Sequence, residues 1–557
     1  MDNPDFLIVG GGTAGSVLAS RLSEDGVTRV LLIEAGQDTP PDATPADIAD
    51  TFPSSSLNRN YFWPELKAER VIGETRRPYP QGRIMGGGSS VMGMWALRGV
   101  PSDFDSWASF GAQGWAWSDV VKFYRQLEID PVRQRDSNVP GSMPITRVPR
   151  NEWPGFAEAM ARVAAQRGFR HVDDINEDGG DGAFALPLSQ GDGVRASSPR
   201  CYLSADVRRR SNLQLMPNTN VTSLNVEGGR VTGVTIEQGG QTRVINAQKV
   251  ILSAGGIHSP AMLIRSGIGP AADVQKLGLA VKADRPGVGA NLQNHPYLHF
   301  ALTIPPKMRL AADLHQFGMN CVRHSSGHPD CKPSDLLAFA MGRVSPRPFG
   351  AAIGMVGAAL YSPYSRGRVT IDTPDIKTPP RIDFRLLSDP RDAPRFLQSA
   401  RFAESMVRDP SLAATYDDAF ILPPILSLHQ FNQPGLKGEL FGLAANIALN
   451  APAAVKRLLL GQAISPGRWI GNRHAQSAVT DEEIIAAAAP MGHPTSTCSI
   501  GRADAPMAVV DSACRVYGVD NLRVIDASIM PAVPSGNTNL PTTMIAEKMA
   551  HTIRNGG

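Results

Sequence analysis

A chain of 557 residues has the length of roughly three to four domain-sized units, or of two large interleaved ones, and can bury a sizeable core. Its 55 basic and 52 acidic residues leave a net charge of +3, which excludes a strong field for nucleic acid or an acidic membrane and leaves a small molecule as the expected partner. Hydrophobic residues make up 42% and charged residues 19%; five scattered cysteines (Cys201, Cys321, Cys331, Cys498, Cys514) form no dense framework, so reduced thiols are expected.

"MDNPD" runs directly into "FLIVGGG" with no room for a signal peptide, and a cytoplasmic location is expected. Phe6 to Val9 predicts a buried strand, followed by Gly10, Gly12 and Gly15 in the order G-x-G-x-x-G. "TAGSVLASRLSEDG" predicts a helix stopped by Gly26, and "RVLLIEAG" a second strand ending at Glu34, nineteen residues beyond Gly15. Strand, tight turn, helix and a carboxylate for ribose hydroxyls are the context that dinucleotide binding needs. Thr13, Ala14 and Ala35 belong to the same expected contact. The fingerprint alone leaves NAD and FAD both open.

A second glycine-rich block, "PYPQGRIMGGGSSVMGMWALRGVPSDFDSWASFGAQGWAW", spans Pro78 to Trp117 and offers backbone amides and small side chains against which a planar ring could lie. A third, "ILSAGGIHSPAMLIRSGIGP" (Ile251 to Pro270), reads as strand, turn and helix, and "GVGANLQNHP" (Gly287 to Pro296) follows it. With the first fingerprint and the closing segment "YGVDNLRVIDASIMPAVPSGNTNLPTTMIAEKMA" (Tyr517 to Ala550), these blocks resemble the glucose-methanol-choline family of FAD-dependent oxidoreductases.

The resemblance implies an α/β fold: a Rossmann-like FAD-binding domain from residues 1–155, 195–300 and 483–557, and a discontinuous, mainly antiparallel-sheet-plus-helices substrate domain from 156–194 and 301–482. "SPYSRGRVTIDTPDIKTPPRIDFRLLSDPRD" (Ser362 to Asp392) looks like the family's substrate-domain sheet. The resemblance also implies cofactor contacts at Arg83, Gly87, Ser89, Ser90, Val91 and Met92, at Val221 and Ala254, and at Asp526 and Ala527. Pro541 is expected to open a helix that includes Thr542 and Thr543 and aims its N-terminal amides at the flavin. Val91 stands where some members carry a histidine tether, so FAD is expected without a covalent link. Met92 replaces the usual Asn, and Asn294 the usual Asp.

"MGHPTSTCSIG" (Met491 to Gly501) matches the segment that carries the family's catalytic histidine, which makes His493 the expected base; its partner is Asn537, with Asn539 as the alternative. An alcohol O–H is too weak an acid to ionise at neutral pH, and an imidazole suits its removal. The implied reaction oxidises an alcohol, primary and hydrophobic or aromatic, to an aldehyde by proton abstraction and hydride transfer to flavin N5, with oxygen or another acceptor closing the cycle. A hydroxynitrile lyase-like or other non-redox member of the family is the alternative.

Two further segments carry expectations. Cys321, His324, His328 and Cys331 form C-x2-H-x3-H-x2-C, donors that suit zinc, but the segment is very short for four tetrahedral ligands; a loop in the substrate half without metal is expected. The apolar run "AFILPPILSLHQF" adds to an apolar access channel, and Leu440 to Val455 is shorter than the roughly 20 residues a span needs and reads as a buried or interfacial helix pair rather than a transmembrane segment.

Overall fold

The computed structural model describes residues 1, 3–132, 141–422, 429–432, 435–461, 468–472 and 479–557. β1 (Phe6–Val9) and β2 (Val30–Ile33) are buried along their whole length, as strands covered on both faces must be. α1 (Thr13–Leu22) is the crossover that a parallel pair requires. β3 (Gly182–Ala185), β4 (Leu213–Met216), β5 (Lys249–Leu252) and α2 (Gly255–Arg265) follow. The second half supplies β6 (Pro296–Thr303), β7 (Gly318–His324), β8 (Leu336–Met341), β9 (Ile353–Leu360) and α3 (Asp392–Val407). Then come β10 (Asp418–Ile421), α4 (Leu436–Asn450), α5 (Ala453–Gly461), β11 (Trp469–Asn472), β12 (Leu522–Val524) and α6 (Asn539–Arg554).

The first layer is a five-stranded parallel sheet in the order β4-β2-β1-β5-β12. Its edge strand β12 comes from the far end of the sequence, so the layer closes only when both ends of the chain meet. α6 packs on α1, and Arg21 grips the Glu547 carboxylate with two N–H groups at 2.9 Å each while the Tyr202 hydroxyl donates to it at 2.8 Å. The second layer is an eight-stranded sheet in the order β11-β10-β6-β9-β8-β7-β3, antiparallel at every pairing, with Ala489–Pro490 added alongside β6. The expected mixture of a Rossmann-like part and a mainly antiparallel part is therefore present.

Each layer has its own apolar core. Val17, Leu18, Leu31 and Leu32 sit in the first, and Phe156, Phe300, Val356 and Phe396 in the second, all fully buried. Each such side chain contributes about 1.5–3 kcal/mol relative to exposure. The expected division at residue 300 falls inside β6, whose eight residues all belong to the antiparallel sheet.

Other expectations need correction. Arg368–Thr370 and Arg381–Asp383 do not join the large sheet; they pair with Lys67–Glu69 and Arg77–Pro78 in a separate four-stranded sheet. Here Val369, Ile382, Leu66 and Tyr79 form a small core of their own. α4 and α5 form the expected helix pair, and the exposure of Leu440, Leu443 and Ile447 on α4 and Leu458 on α5 removes the buried alternative and leaves the interfacial one. Ala419 to Ile421 of the apolar run lie in β10, and residues 423–428 lie outside the described residues. No described helix is long and apolar enough to cross a membrane.

Cys321 and His324 are buried on β7, whereas His328 and Cys331 meet in the following turn at 3.6 Å between Nδ1 and Sγ. The expected loop is half strand. Among the described residues no group of three or more His, Cys, Asp or Glu side chains is arranged to hold a metal.

Candidate active site

The turn after β1 shows why glycine is required there. Gly10 has φ +101°, and a Cβ on it would lie 2.6 Å from the Ser253 carbonyl oxygen. A Cβ on Gly15 would lie 1.9 Å from the Gly10 carbonyl oxygen, which fixes how closely α1 approaches the strand. α1 starts without a side-chain cap, so the first-turn amides, at Thr13 and Ala14, open towards a cavity of about 480 Å³. The Thr13 hydroxyl donates to Asn539 Oδ1 at 2.8 Å and ties this helix start to that of α6. Two uncapped helix N-termini therefore converge on one cavity, with the partial positive charge that favours an anion.

The cavity is lined by Gly10, Gly12, Thr13, Ala14, Glu34 and Ala35 from the first block and by Arg83, Gly87, Ser89 and Met92 from the second. Val221, Ala254, Asp526, Ala527, Asn537 and Thr542 complete the expected residues on its wall, and Asn539 lies there too. Gly15, Ser90, Val91, Pro541 and Thr543 are not on the wall. Gly15 works through packing. The Ser90 hydroxyl donates to the Met85 carbonyl at 2.8 Å, and Val91 is buried against Ile48, Tyr61 and Ile84.

The last helix begins at Asn539, two residues before the expected Pro541. Thr542 N–H is already bonded to the Thr538 carbonyl at 3.0 Å. The amides left without a helical acceptor are those of Asn539 and Leu540, because Pro541 has none.

Glu34 accepts from the amides of Gly11 (2.7 Å) and Gly36 (2.8 Å), and burial pushes its pKa up against the pull of these bonds and of Arg83. Asp526 accepts from Gly255 N–H (2.8 Å), Ser259 Oγ (2.6 Å) and Ser528 N–H (2.7 Å), and burial likewise raises it. Both carboxylates hold the glycine turns in shape at the cavity edge. Sequence reasoning did not single out Trp63, His258 and Arg265 at the same end. The indole stacks on His258 at 4.2 Å and lies under the Arg83 guanidinium at 5.1 Å. Arg83 Nε, His258 Nε2 and Arg265 Nε have no protein partner, so this wall offers polar groups to a ligand. His258 and Arg265 lie within the third glycine-rich block, whose match could have pointed to them, whereas Trp63 lies outside every motif and carries no spacing signal.

At the other end stands His493. Residues around 490 run antiparallel to the segment entering β6: Pro490 opposes Pro296, and Thr495 opposes Gln293. Five positions on one side face three on the other, and Gly492, His493 and Pro494 take up the slack by bowing into the cavity wall. Met491 N–H donates to the His295 carbonyl at 3.0 Å, and Asn294 Nδ2 donates to the Met491 carbonyl at 2.7 Å. The amide at Asn294 thus has a physical reason: a carboxylate has no proton to give that carbonyl. Met92 brings its thioether close to Gly492 and, with Met94 and Trp95, makes this end largely apolar.

His493 Nε2 is 3.1 Å from Asn537 Nδ2, and His493 Nδ1 is 2.9 Å from His295 Nδ1. The Tyr361 hydroxyl donates to Asn537 Oδ1 at 3.2 Å, which turns the amide nitrogen towards His493. Desolvation lowers the His493 pKa to about 4, so the ring is neutral at pH 7. The structure therefore brings the two expected catalytic residues together and adds His295 and Tyr361, which sequence reasoning missed.

The arrangement of uncapped helix starts, close-approach glycines and unpartnered donors fits an elongated, anionic dinucleotide. A Gly15→Ala variant is expected to hold FAD about 10- to 100-fold more weakly, the equivalent of roughly 1–3 kcal/mol of overpacking. Flavin absorbance per protein after titration of the apoprotein measures it, and parental affinity would remove the steric argument.

Comparison with known proteins adds independent findings. The models of the N- and C-terminal parts of GMC oxidoreductases match residues 4–297 and 363–546. The chain is 39% identical over 568 residues to a 5-(hydroxymethyl)furfural oxidase from Methylovorus sp. strain MP688, covering 99% of this chain and 98% of that one. It is 34% identical over 579 residues to an oxygen-dependent choline dehydrogenase from Sinorhizobium medicae strain WSM419, covering 98% and 94%. Among solved structures, pyridoxine 4-oxidase from Mesorbium loti superposes with a TM-score of 0.80 at 28% identity, covering 100% of both chains.

Proposed function

The chain belongs to the GMC oxidoreductase family of FAD-dependent enzymes that oxidise alcohols, and from that premise we propose that it acts on a primary alcohol carried by an aromatic ring. The observation that carries this reading is the pairing of His493 and Asn537 at 3.1 Å on the wall of a cavity whose lining also includes Met92, beside Gly492, and Met94 and Trp95. A 5-(hydroxymethyl)furfural oxidase and a pyridoxine 4-oxidase among the similar proteins support the same class of substrate.

His493 takes the hydroxyl proton at Nε2, and Asn537 Nδ2 donates to the oxygen that is left negatively charged. FAD, when bound, supplies the two-electron acceptor. Gly10, Gly12 and the first turn of α1 would hold its phosphates, Glu34 and Val221 would serve its nucleoside part, and the uncapped start of α6 would serve the flavin, all of them on the cavity wall. With Val91 buried away from the cavity and unable to form a tether, FAD is held non-covalently. The two apolar cores support a division into a cofactor domain (1–155, 195–295 and 491–557) and a substrate domain (156–194 and 296–490): the crossing expected at 300 moves ahead of Pro296, and the one expected at 483 moves past Pro490, because Ile484, Ala487 and Ala488 pack in the second core and Ala489–Pro490 pair with β6.

The test is anaerobic mixing of the holoenzyme with 5-(hydroxymethyl)furfural, pyridoxine, benzyl alcohol, choline and glucose in turn. Ring-borne hydroxymethyl compounds are expected to bleach the flavin band, and admitting air then tells oxygen from another acceptor. Bleaching by choline or glucose alone would overturn the substrate class. An unbleached flavin with cyanohydrin cleavage would replace oxidation by lyase chemistry.

A further inference from the structure

We propose that His295 is a positioning residue that fixes the tautomer of His493, through a proton chain anchored on the Pro534 carbonyl. This rests on the reading of His493 as the base and says why its Nε2, rather than its Nδ1, is the basic atom.

A carbonyl oxygen only accepts, so the contact of 3.1 Å between Pro534 O and His295 Nε2 places a proton on that nitrogen. His295 is fully buried, between His493 on one side and the Tyr361 ring stacked at 4.5 Å on the other, with no carboxylate against it. A neutral ring carries a single N–H, so its Nδ1 is a lone pair. The 2.9 Å contact between the two Nδ1 atoms then needs its proton from His493. With that proton on Nδ1, the neutral His493 ring has its lone pair on Nε2, facing Asn537 and the cavity. Tyr361 completes the set from the other end by fixing Asn537 as a donor to that lone pair.

The fold makes the alignment rigid. The antiparallel register that sets Tyr297 opposite Ala359, continued two positions to just beyond the ends of β6 and β9, brings His295 to Tyr361, where the rings stack at 4.5 Å. Arg395, with no exposure, holds the Ser362 carbonyl with two N–H groups at 3.0 Å and is itself held by Asp335 and Asp392 at 2.8 Å each. The loop that carries Pro534 is tied down where Val533 N–H donates to Gln293 Oε1 at 3.0 Å and Ser535 donates to Asp103.

The test combines nitrogen NMR of histidine-labelled holoenzyme with rapid-mixing flavin reduction. Comparison with His493→Gln assigns the His493 signals, and they are expected to report a proton on Nδ1 and a bare Nε2. His295→Phe keeps a ring against Tyr361 but removes the acceptor: His493 is expected to shift its proton to Nε2, and flavin reduction to slow about 100-fold with FAD content retained. His295→Asn puts an amide oxygen where Nδ1 was and is expected to restore most of the rate and the parental tautomer. A parental protein with the proton on Nε2 of His493, or a Phe variant that keeps both the tautomer and the rate, overturns the inference. The parental spectrum decides the matter even if the Phe variant does not fold. If His493→Gln reduces flavin at the parental rate, the base assignment fails instead, independently of the tautomer.

Discussion

Replacing His493 with glutamine is expected to leave FAD bound and to slow flavin reduction by roughly 10²- to 10⁴-fold, the range lost with a general base. The side chain is one of many on the cavity wall, and a glutamine can still reach Asn537, so occupancy does not depend on it. The rate does, because no other described imidazole or carboxylate stands within hydrogen-bond distance of Asn537. The pH dependence provides a second reading of the same group. Its conjugate acid has a pKa of about 4, so the active, neutral form predominates above that value. Flavin reduction in the parent is therefore expected to be level from pH 8 to pH 6 and to fall as pH approaches 4, whereas the glutamine variant is slow and level throughout. Stopped-flow absorbance with brief pH jumps measures both. A parental rate that keeps rising up to pH 8 would assign the proton transfer to a group of higher pKa.

Brief jumps are needed because mild acid is expected to unfold the protein. His258 is pushed down to about 3, His299 and His324 to about 4, and His295 lies well below the ordinary value, in each case mainly through desolvation. Above pH 6.5 these rings are neutral in both states and favour neither. Between pH 6.5 and 4 the unfolded chain binds protons that the folded chain refuses, so stability falls as pH falls. His324, 6% exposed and packed on Phe402 at 4.2 Å, alone removes roughly 2 kcal/mol by pH 5, and His295 adds to it. Glu34 and Asp526, raised by burial, work in the opposite direction but are the only two such carboxyls among the described residues. Glu177 and Asp389, each held near 2 by arginines, extend the loss below pH 4. Denaturant midpoints at pH 7, 6 and 5 should drop by the equivalent of several kcal/mol. Midpoints that stay constant over this interval would mean that the rings are protonated in the folded state.

Local physics made much of the cofactor half legible in the sequence. A strand covered on both faces must be apolar throughout, a helix that approaches it closely needs Gly15, and a turn at φ +101° needs Gly10; these demands act within thirty residues and leave their mark on spacing. His493 and Asn537 were found through their motifs, and their 3.1 Å contact followed. What stands behind them left no such mark. His295 and Tyr361 meet because β6 and β9 pair in one register, and His493 reaches the cavity because a ladder between positions near 293 and 495 carries two extra residues. Both are long-range pairings, and nothing in a local window constrains them. The same reason explains the segment around 368–383, whose strand pattern was visible but whose partners at 67–78 were not. The sequence by itself determined the cofactor and the reaction class and pointed to the proposed base; only the tertiary structure decided which neighbours orient that residue, because hydrogen-bond direction depends on partners such as His295, 198 positions away in the chain.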